Sequence, residues 1–445
     1  MSKNTRSIPA PTQLPKVSHG VGSYVFDSTG KRYIDGSGGP AVYCLGHAHP
    51  EVKAAIRDQL ERIAHGYRYT FTSDPLIRLT ELIQSQAGPG FEQLLYVSSG
   101  SEAVESALKI ALQFHWARGD HTRTRFVSRQ RSYHGNTLGA LAVSGFAQRR
   151  KQFEGSLFPC SFISTANAYR PAAAGTADEL TDFLAAEFEQ EILRLGADNV
   201  AAFIFEPVVG AAGGMLPAPD GYARKMRDVC NRYGVLMIAD EVMCGAGRCG
   251  SWRALEQDQV LPDIMTIAKG LGGGYIPLGA VAYSQQIADT IIATDGAVNT
   301  GHTFTGHTLA CAAAAAVQDI VVRDQLVQRV KTHSAALQKR LVNSVGQIDA
   351  VGDIRVRGFF AGVELVADRD NRRAFDLNLK LTEIVRARTL QEGLICYPVS
   401  GTIDGAQGDV VIIAPPYNAS DAELDEIADK LNRGLQLALA DIGAA

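Results

Sequence analysis

A lysine set in a glycine-rich turn is the residue of this sequence most plainly equipped for chemistry. Lys269 follows the apolar run 264–268 and precedes Gly270 and Gly272-Gly273-Gly274, so the backbone around it can turn tightly and approach a ligand closely. A lone lysine after a strand is ordinarily a solvated charge. This one has companions. The run 201–205 ends in Glu206-Pro207 and the run 235–239 in Asp240-Glu241-Val242. Carboxylates at the ends of buried strands are costly unless paired or hydrogen-bonded, so they are seldom accidental. The run 94–97 leads into Ser98-Ser99-Gly100-Ser101-Glu102, where Ser99 and Glu102 are spaced as a capping box opening a helix to about Phe114. Such a turn is an ordinary helix start, and its free N–H groups, positive dipole end and hydroxyls also suit a phosphate. After 125–128 comes Tyr133-His134-Gly135, with an aromatic able to cover a planar ring.

The elements that must position these residues are strands. The runs 94–97, 125–128, 201–205, 235–239, 264–268 and 278–283 are apolar along their whole length, as expected of strands buried on both faces of a mostly parallel sheet flanked by helices. Sheets of this kind bind ligands beyond the carboxyl ends of their strands, where every residue named above falls. Together they would hold pyridoxal 5'-phosphate: phosphate on the helix start, Lys269 as the Schiff-base amine, Asp240 against the pyridinium nitrogen. An aspartate in a low-dielectric site favours the ring-nitrogen proton, and a displaced lysine is a free base beside the reacting carbon.

The flanking regions differ in character. Residues 1–20 contain three prolines and read as an arm, packed on something else or partly disordered. Two short strands joined at Ser28-Thr29-Gly30 are expected within 22–35, then a helix over 51–63. His47 and His49 lack a nearby third ligand and read as structural, so no metal is expected. Residues 166–178 read as a surface excursion. A single long helical stretch is expected from 310 to about 343, then strands at 356–365 and 410–414 with helices at 377–392 and 422–440, an α+β arrangement.

Composition narrows the class. The chain has 445 residues, 46% hydrophobic and 20% charged, with formal net charge -4, which is enough for two or three domains and gives no footprint for nucleic acid. The 43 basic residues are scattered, and no apolar stretch approaches the roughly 20 residues of a membrane span. Seven cysteines, odd in number and without a C-x-x-C pair, suit a reducing cytoplasm.

The set Ser99-Gly100-Ser101-Glu102, Tyr133-His134-Gly135, Glu206-Pro207, Asp240-Glu241-Val242, Ala268-Lys269-Gly270 and Gly301-His302-Thr303-Phe304-Thr305-Gly306-His307 resembles the class III, fold-type I pyridoxal-phosphate aminotransferases, the ω-aminotransferase group, over nearly the whole chain. The resemblance implies that Lys269 forms the Schiff base and Asp240 pairs with the ring nitrogen. Val242 and Tyr133 would sandwich the ring, Gly100 and Ser101 bind the phosphate, and Ser99, His134 and Glu206 line the same site. Thr303 would reach the phosphate from the other subunit of a homodimer with shared active sites. The implied fold is a large cofactor domain, residues 61–319, with a mostly parallel sheet, and a smaller α+β domain built from both termini, residues 1–60 and 320–445.

Departures from the family pattern bear on substrate. A glutamate usual soon after Glu-Pro is Ala211 here, and its partner arginine before the C-terminal Pro-Pro is Ile412. The mobile arginine of amine-type members is absent from Asn418-Ala419-Ser420-Asp421, and Met243 replaces a glutamine common in relatives. A 2-oxo acid still needs its carboxylate bound, ideally by a guanidinium. Arg68, in Tyr67-Arg68-Tyr69-Thr70-Phe71, is the candidate, with Tyr133 beside the substrate; a surface arginine between packing aromatics is the other reading. The expectation is an aminotransferase taking an amino group from a primary amine or ω-amino acid to a small 2-oxo acid such as pyruvate. A lyase on the same scaffold, eliminating ammonia or phosphate, is the alternative. A catalytically silent regulator is disfavoured by the joint retention of Lys269, Asp240 and the phosphate turn.

Overall fold

The computed structural model describes residues 14–444. Seven strands form its central sheet, numbered here in chain order: β1 Gln93–Val97, β2 Arg125–Arg129, β3 Cys160–Ile163, β4 Val200–Phe205, β5 Leu236–Asp240, β6 Ile264–Ile267 and β7 Gly279–Tyr283. Their spatial order is β1-β7-β6-β5-β4-β2-β3. All pairs are parallel except those of β7, which runs antiparallel to β1 and β6.

Side chains alternate across this sheet with the period of two that a strand dictates. Ala202, Ile204, Leu236, Ile238 and Val281 pack under the helix Gly100–Ala117, while Phe203, Phe205, Met237 and Ala239 pack against the helices Ala177–Leu195 and Tyr222–Tyr233. Both faces are therefore covered, which is why the strand sequences are continuously apolar. The parallel register pairs Ala239 with Phe205 and Asp240 with Thr266, so β4, β5 and β6 end level with one another.

The chain ends meet in a separate core. Leu394–Ile395 adds in parallel to the N-terminal strand Arg32–Asp35, extending a sheet with Tyr24–Asp27 and Val17–Val21. A second, antiparallel sheet runs Val351–Arg357, Phe360–Leu365, Asp409–Ile413, Tyr397–Ser400. Ile34, Cys44 and Leu45 share their core with Leu337, Val363, Ile427 and Leu431. Among the described residues no helix is long and apolar enough to cross a membrane.

Several expectations change. The N-terminal arm lies outside the described residues up to 13; beyond it, Val17–Val21 is an edge strand. The expected long helix is two, Thr308–Arg323 and Leu326–Val345, broken where Gln325 turns left-handed at φ 50°. Its only sequence signal is the polar trio Arg323-Asp324-Gln325. The strand expected over 356–365 is the end of one hairpin strand plus the next, and the helix expected from 377 starts properly only at Leu381, after Lys380 at φ 50°. The 166–178 excursion is anchored: Ala166 is buried and Arg170 Nε donates to Glu364 Oε1 at 2.7 Å. The edge strand β3 and the helix Ala177–Leu195 are additions, the latter opened by a full capping box between Thr176 and Glu179.

The hairpin turn rests on Gly358, whose φ is 65° and whose missing Cβ would collide with the backbone of Arg248 and Cys249. Gly358→Ala is expected to cost about 2 kcal/mol or more. A fall in the urea midpoint at unchanged m-value measures this; a wild-type midpoint would contradict the strain argument.

Candidate active site

A cavity of about 300 Å³ opens where β4, β5 and β6 end level. Lys269, Asp240, Glu206, Tyr133, His134, Val242, Ser99, Gly100 and Ser101 all line it, although they are spread over 171 positions of sequence from Ser99 to Lys269. Each stands just past a strand, so the sheet register carries them to one place. Arg68 and Thr303 do not line this cavity. Both lie on exposed segments beside one another: the Leu309 amide donates to the Ala64 carbonyl at 3.0 Å, and His65 stacks on His307 with centroids 4.9 Å apart.

Asp240 is 3% exposed and has its oxygens assigned to separate tasks. Oδ2 faces His134 Nδ1 at 2.7 Å, while Oδ1 accepts from the Val242 amide at 3.0 Å and from Thr266 Oγ1 at 3.2 Å. Because a carboxylate only accepts, the His134 proton belongs on Nδ1. His134 is fixed in turn: its amide donates to Ser144 Oγ at 2.8 Å and Nε2 meets Ser128 Oγ at 3.3 Å. His134, read from the sequence as a cofactor contact, thus has its clearest bond to the aspartate. A buried carboxylate without partners would cost several kcal/mol; three partners satisfy and aim this one.

Glu206 acts on backbone. Oε1 accepts from the Tyr133 amide and Oε2 from the Gly210 amide, both at 2.8 Å, which places the Tyr133 ring. Burial raises its pKa, and the Asp240 charge adds to that; His134 and the two amides oppose it. Glu241 points elsewhere, accepting from the Ala254 and Leu255 amides.

Lys269 itself adopts φ 44°, a left-handed conformation uncommon outside glycine, in a short turn after β6. Two things hold it. Gln318 Nε2, from the helix Thr308–Arg323, donates to the carbonyls of Gly270 at 3.1 Å and Leu271 at 3.0 Å, and the Gly273 amide donates to the Lys269 carbonyl at 3.0 Å. Burial pushes the lysine pKa below its usual value, with the Asp240 and Glu206 carboxylates pulling the other way. The result is an amine nearer to its neutral, nucleophilic form. No spacing pattern points to Gln318; its signal is a lone carboxamide in an alanine-rich run.

At the helix Gly100–Ala117 the capping differs in detail from the expected box. Ser99 Oγ accepts from the Glu102 amide at 3.2 Å, but Glu102 Oε2 reaches back one residue further, to the Ser98 amide at 2.6 Å. The first-turn amides of Gly100 and Ser101 have no intrahelical acceptor by helix geometry and belong to residues lining the cavity. A Cβ at Gly100 would sit 2.8 Å from Val242 Cγ1, and one at Gly135 2.6 Å from Ser101 Oγ. Donors for an anion at one end, a neutralising lysine, and a fixed carboxylate at the other make a donor set that fits pyridoxal phosphate. Among the described residues no group of three or more His, Cys, Asp or Glu could hold a metal. His47 Nε2 instead meets Asp35 Oδ2 at 3.1 Å.

The substrate-side departures share one apolar cluster, of which Ala211 and Met243 line the cavity. Ile412 and Met243 are buried in a single apolar cluster with Val208 and Phe360, and Ala211 packs against it. Asp421 starts the terminal helix Asp421–Asp441 and pairs with Arg340 at 3.1 Å.

A family model described as aminotransferase class-III matches residues 9–435. The chain is 38% identical over 413 residues to the uncharacterized aminotransferase YodT of Bacillus subtilis, covering 93% of each. It is similar to the thermostable (S)-enantioselective omega-transaminase from Thermomicrobium roseum, at 33% identity and TM-score 0.90, covering 99% of this chain and 96% of that one. The omega transaminase from Pseudomonas jessenii in complex with PMP superposes with TM-score 0.92 at 28% identity, over 99% and 97% of the two chains.

The lysine geometry has a thermodynamic signature. Its folded-state pKa lies below the unfolded value of 10.5, so the cofactor-free protein loses stability as pH falls from about 10.5 through the folded pKa. Lys269→Met should remove that part of the pH dependence. Urea unfolding of both apo proteins across the alkaline range tests it, and parallel stability profiles would contradict the depressed amine.

Proposed function

Because the chain belongs to the class-III aminotransferases, a pyridoxal-phosphate-dependent family of fold type I, we propose that it moves an amino group from a primary amine or ω-amino acid to a small 2-oxo acid such as pyruvate. The observation that carries this reading is the convergence of Lys269, Asp240 and the helix start at Gly100 on one cavity whose substrate wall is apolar. When bound, the cofactor supplies the electron sink that stabilises negative charge on the reacting carbon.

The chain's own residues divide the remaining work. The Gly100 and Ser101 amides and the Ser99 and Ser101 side chains hold the phosphate at the positive helix end. Asp240, oriented by His134, holds a proton on the ring nitrogen opposite its carboxylate. Val242 and Tyr133 cover the two ring faces and exclude water, with Tyr133 placed by Glu206. Lys269 Nζ would accept the proton from the carbon that bears the amine and return it on the cofactor side, burial having lowered the amine pKa towards its neutral, accepting form. The cycle runs as two half-reactions with the donor product leaving before the acceptor enters.

The same reading includes a homodimer. It is supported by the adjacent exposed segments that carry Arg68 and Thr303 and that also expose Tyr67, Tyr69, Phe71 and Phe304, an apolar patch suited to burial against a second copy. In that arrangement Thr303 reaches the neighbouring phosphate and Arg68 the carboxylate of the acceptor. The division at 1–60, 61–319 and 320–445 belongs to the reading as well, supported by the shared core of the two chain ends. So does a cytoplasmic location, in keeping with seven unpaired cysteines.

Amine donor alone should convert the bound cofactor stoichiometrically to its amino form, read as loss of the visible absorption band. Lys269→Ala should lack that band from the outset. Ammonia or phosphate released from the donor with the band intact would assign elimination instead. Arg68→Ala should raise the KM for the 2-oxo acid about tenfold or more, the range for losing charge-assisted hydrogen bonds; an unchanged KM removes Arg68 from the site.

A further inference from the structure

Resting on the aminotransferase reading, we infer that Arg149 is the specificity-determining cation of the substrate pocket, binding the carboxylate of the ω-amino acid donor, the 2-oxo acid acceptor, or both. Its guanidinium carbon lies 4.9 Å from the centre of the Tyr133 ring and 5.2 Å from that of Phe146. Tyr133 lines the cavity beside Lys269, and its backbone is held by Glu206, so the ring that Arg149 rests on is a fixed part of the site. Burial raises the Tyr133 pKa, and the charge of Arg149 is close enough to oppose that shift.

Elimination strengthens the assignment. The arginines of neighbouring segments already have backbone or carboxylate acceptors for their terminal nitrogens. Arg129 donates to the Glu206 carbonyl, Arg131 to the Gly401 and Gly145 carbonyls, and Arg248 to those of Phe359, Pro415 and Tyr43. Arg150, next in sequence, gives one nitrogen to the carbonyls of Leu141, Ala142 and Ser144 and another to Glu154. Among the described residues Arg149 alone of this group has a guanidinium with neither hydrogen bond nor ion pair, held only by two aromatic faces and exposed. Aromatic stacking orients an arginine without consuming its N–H fork, which stays free for a bidentate anion. Ala211 and Met243, which line the cavity, offer no cation, and Ile412 in the same apolar cluster offers none either. Tyr397, the cross-strand neighbour of Ile412, also lies near enough to Tyr133 to influence its hydroxyl.

The test uses the cofactor-loaded enzyme and the variants Arg149→Ala and Arg149→Lys, with retained unfolding midpoints as the control for folding. For Arg149→Ala, the KM for an ω-amino acid relative to that for an uncharged primary amine should rise about ten- to hundredfold, as for loss of a charge-assisted pair. The KM for pyruvate should rise likewise if the acceptor uses the same cation, and the two ratios tell donor from acceptor. Arg149→Lys should recover part of the loss. Calorimetric titration with butyrate, which has a carboxylate and no reactive carbonyl, should show binding weakened to the same degree in Arg149→Ala. Equal losses for charged and uncharged donors would mean that Arg149 merely steadies Tyr133 and would overturn the inference. So would unchanged KM values, or an effect confined to Arg68→Ala. A wild-type enzyme that transfers no amino group at all would instead sink the aminotransferase reading, and the butyrate titration would still decide on Arg149.

Discussion

A carboxylate buried where the central strands end sets the terms for this structure. Asp240 sits at the end of β5 with almost no exposure, and burying a lone ion there costs more than any single contact returns. The cost is offset by a chain of bonds that crosses three elements: Thr266 from β6, the Val242 amide of its own turn, and His134 from the loop after β2. His134 in turn needs Ser128 and Ser144. Shifting the parallel register by one residue would move Thr266 to the opposite face and break this chain, so strand pairing and site chemistry are one constraint. Lys269 inherits its position from the same register, since its turn begins where β6 stops.

Much of this was legible in the sequence, for a physical reason. Strands buried on both faces are uniformly apolar, so the first polar residues after them stand out, and that contrast exposes Glu206, Asp240 and Lys269 directly. The family resemblance added the roles that contrast alone leaves open. What was not legible depends on partners distant in sequence. Gln318 bonds the lysine turn from a different helix, and Glu102 caps Ser98 where spacing favours Ser99. The helix breaks at Gln325 and Lys380 were equally hidden, because a single left-handed residue with a side chain leaves no compositional mark. Arg149 escaped notice for the opposite reason: an arginine in Gln148-Arg149-Arg150-Lys151 looks like any surface charge until the rings beneath it are seen.

The three departures at Ala211, Met243 and Ile412 are a single packing solution. A glutamate and arginine facing each other would have to be desolvated together, and removing only one would strand a buried charge. Here all three positions are apolar and share a cluster with Val208 and Phe360, so no unpaired charge remains. The cavity is built at the sheet ends, while Ile412 joins this cluster from the strand Asp409–Ile413, and none of the three positions bonds the Asp240 carboxylate.

The Gln318 clamp also orders events during synthesis of the chain. A nascent polypeptide that has emerged past Lys269 but not yet to Gln318 has no side-chain donor for the Gly270 and Leu271 carbonyls, and the strained lysine turn keeps only its own local amide bonds. The Tyr417 hydroxyl, which reaches the Ala246 carbonyl at 3.0 Å, arrives later still. The lysine turn thus reaches its final pose only once the helix Thr308–Arg323 has packed against it, well after Lys269 itself has been made.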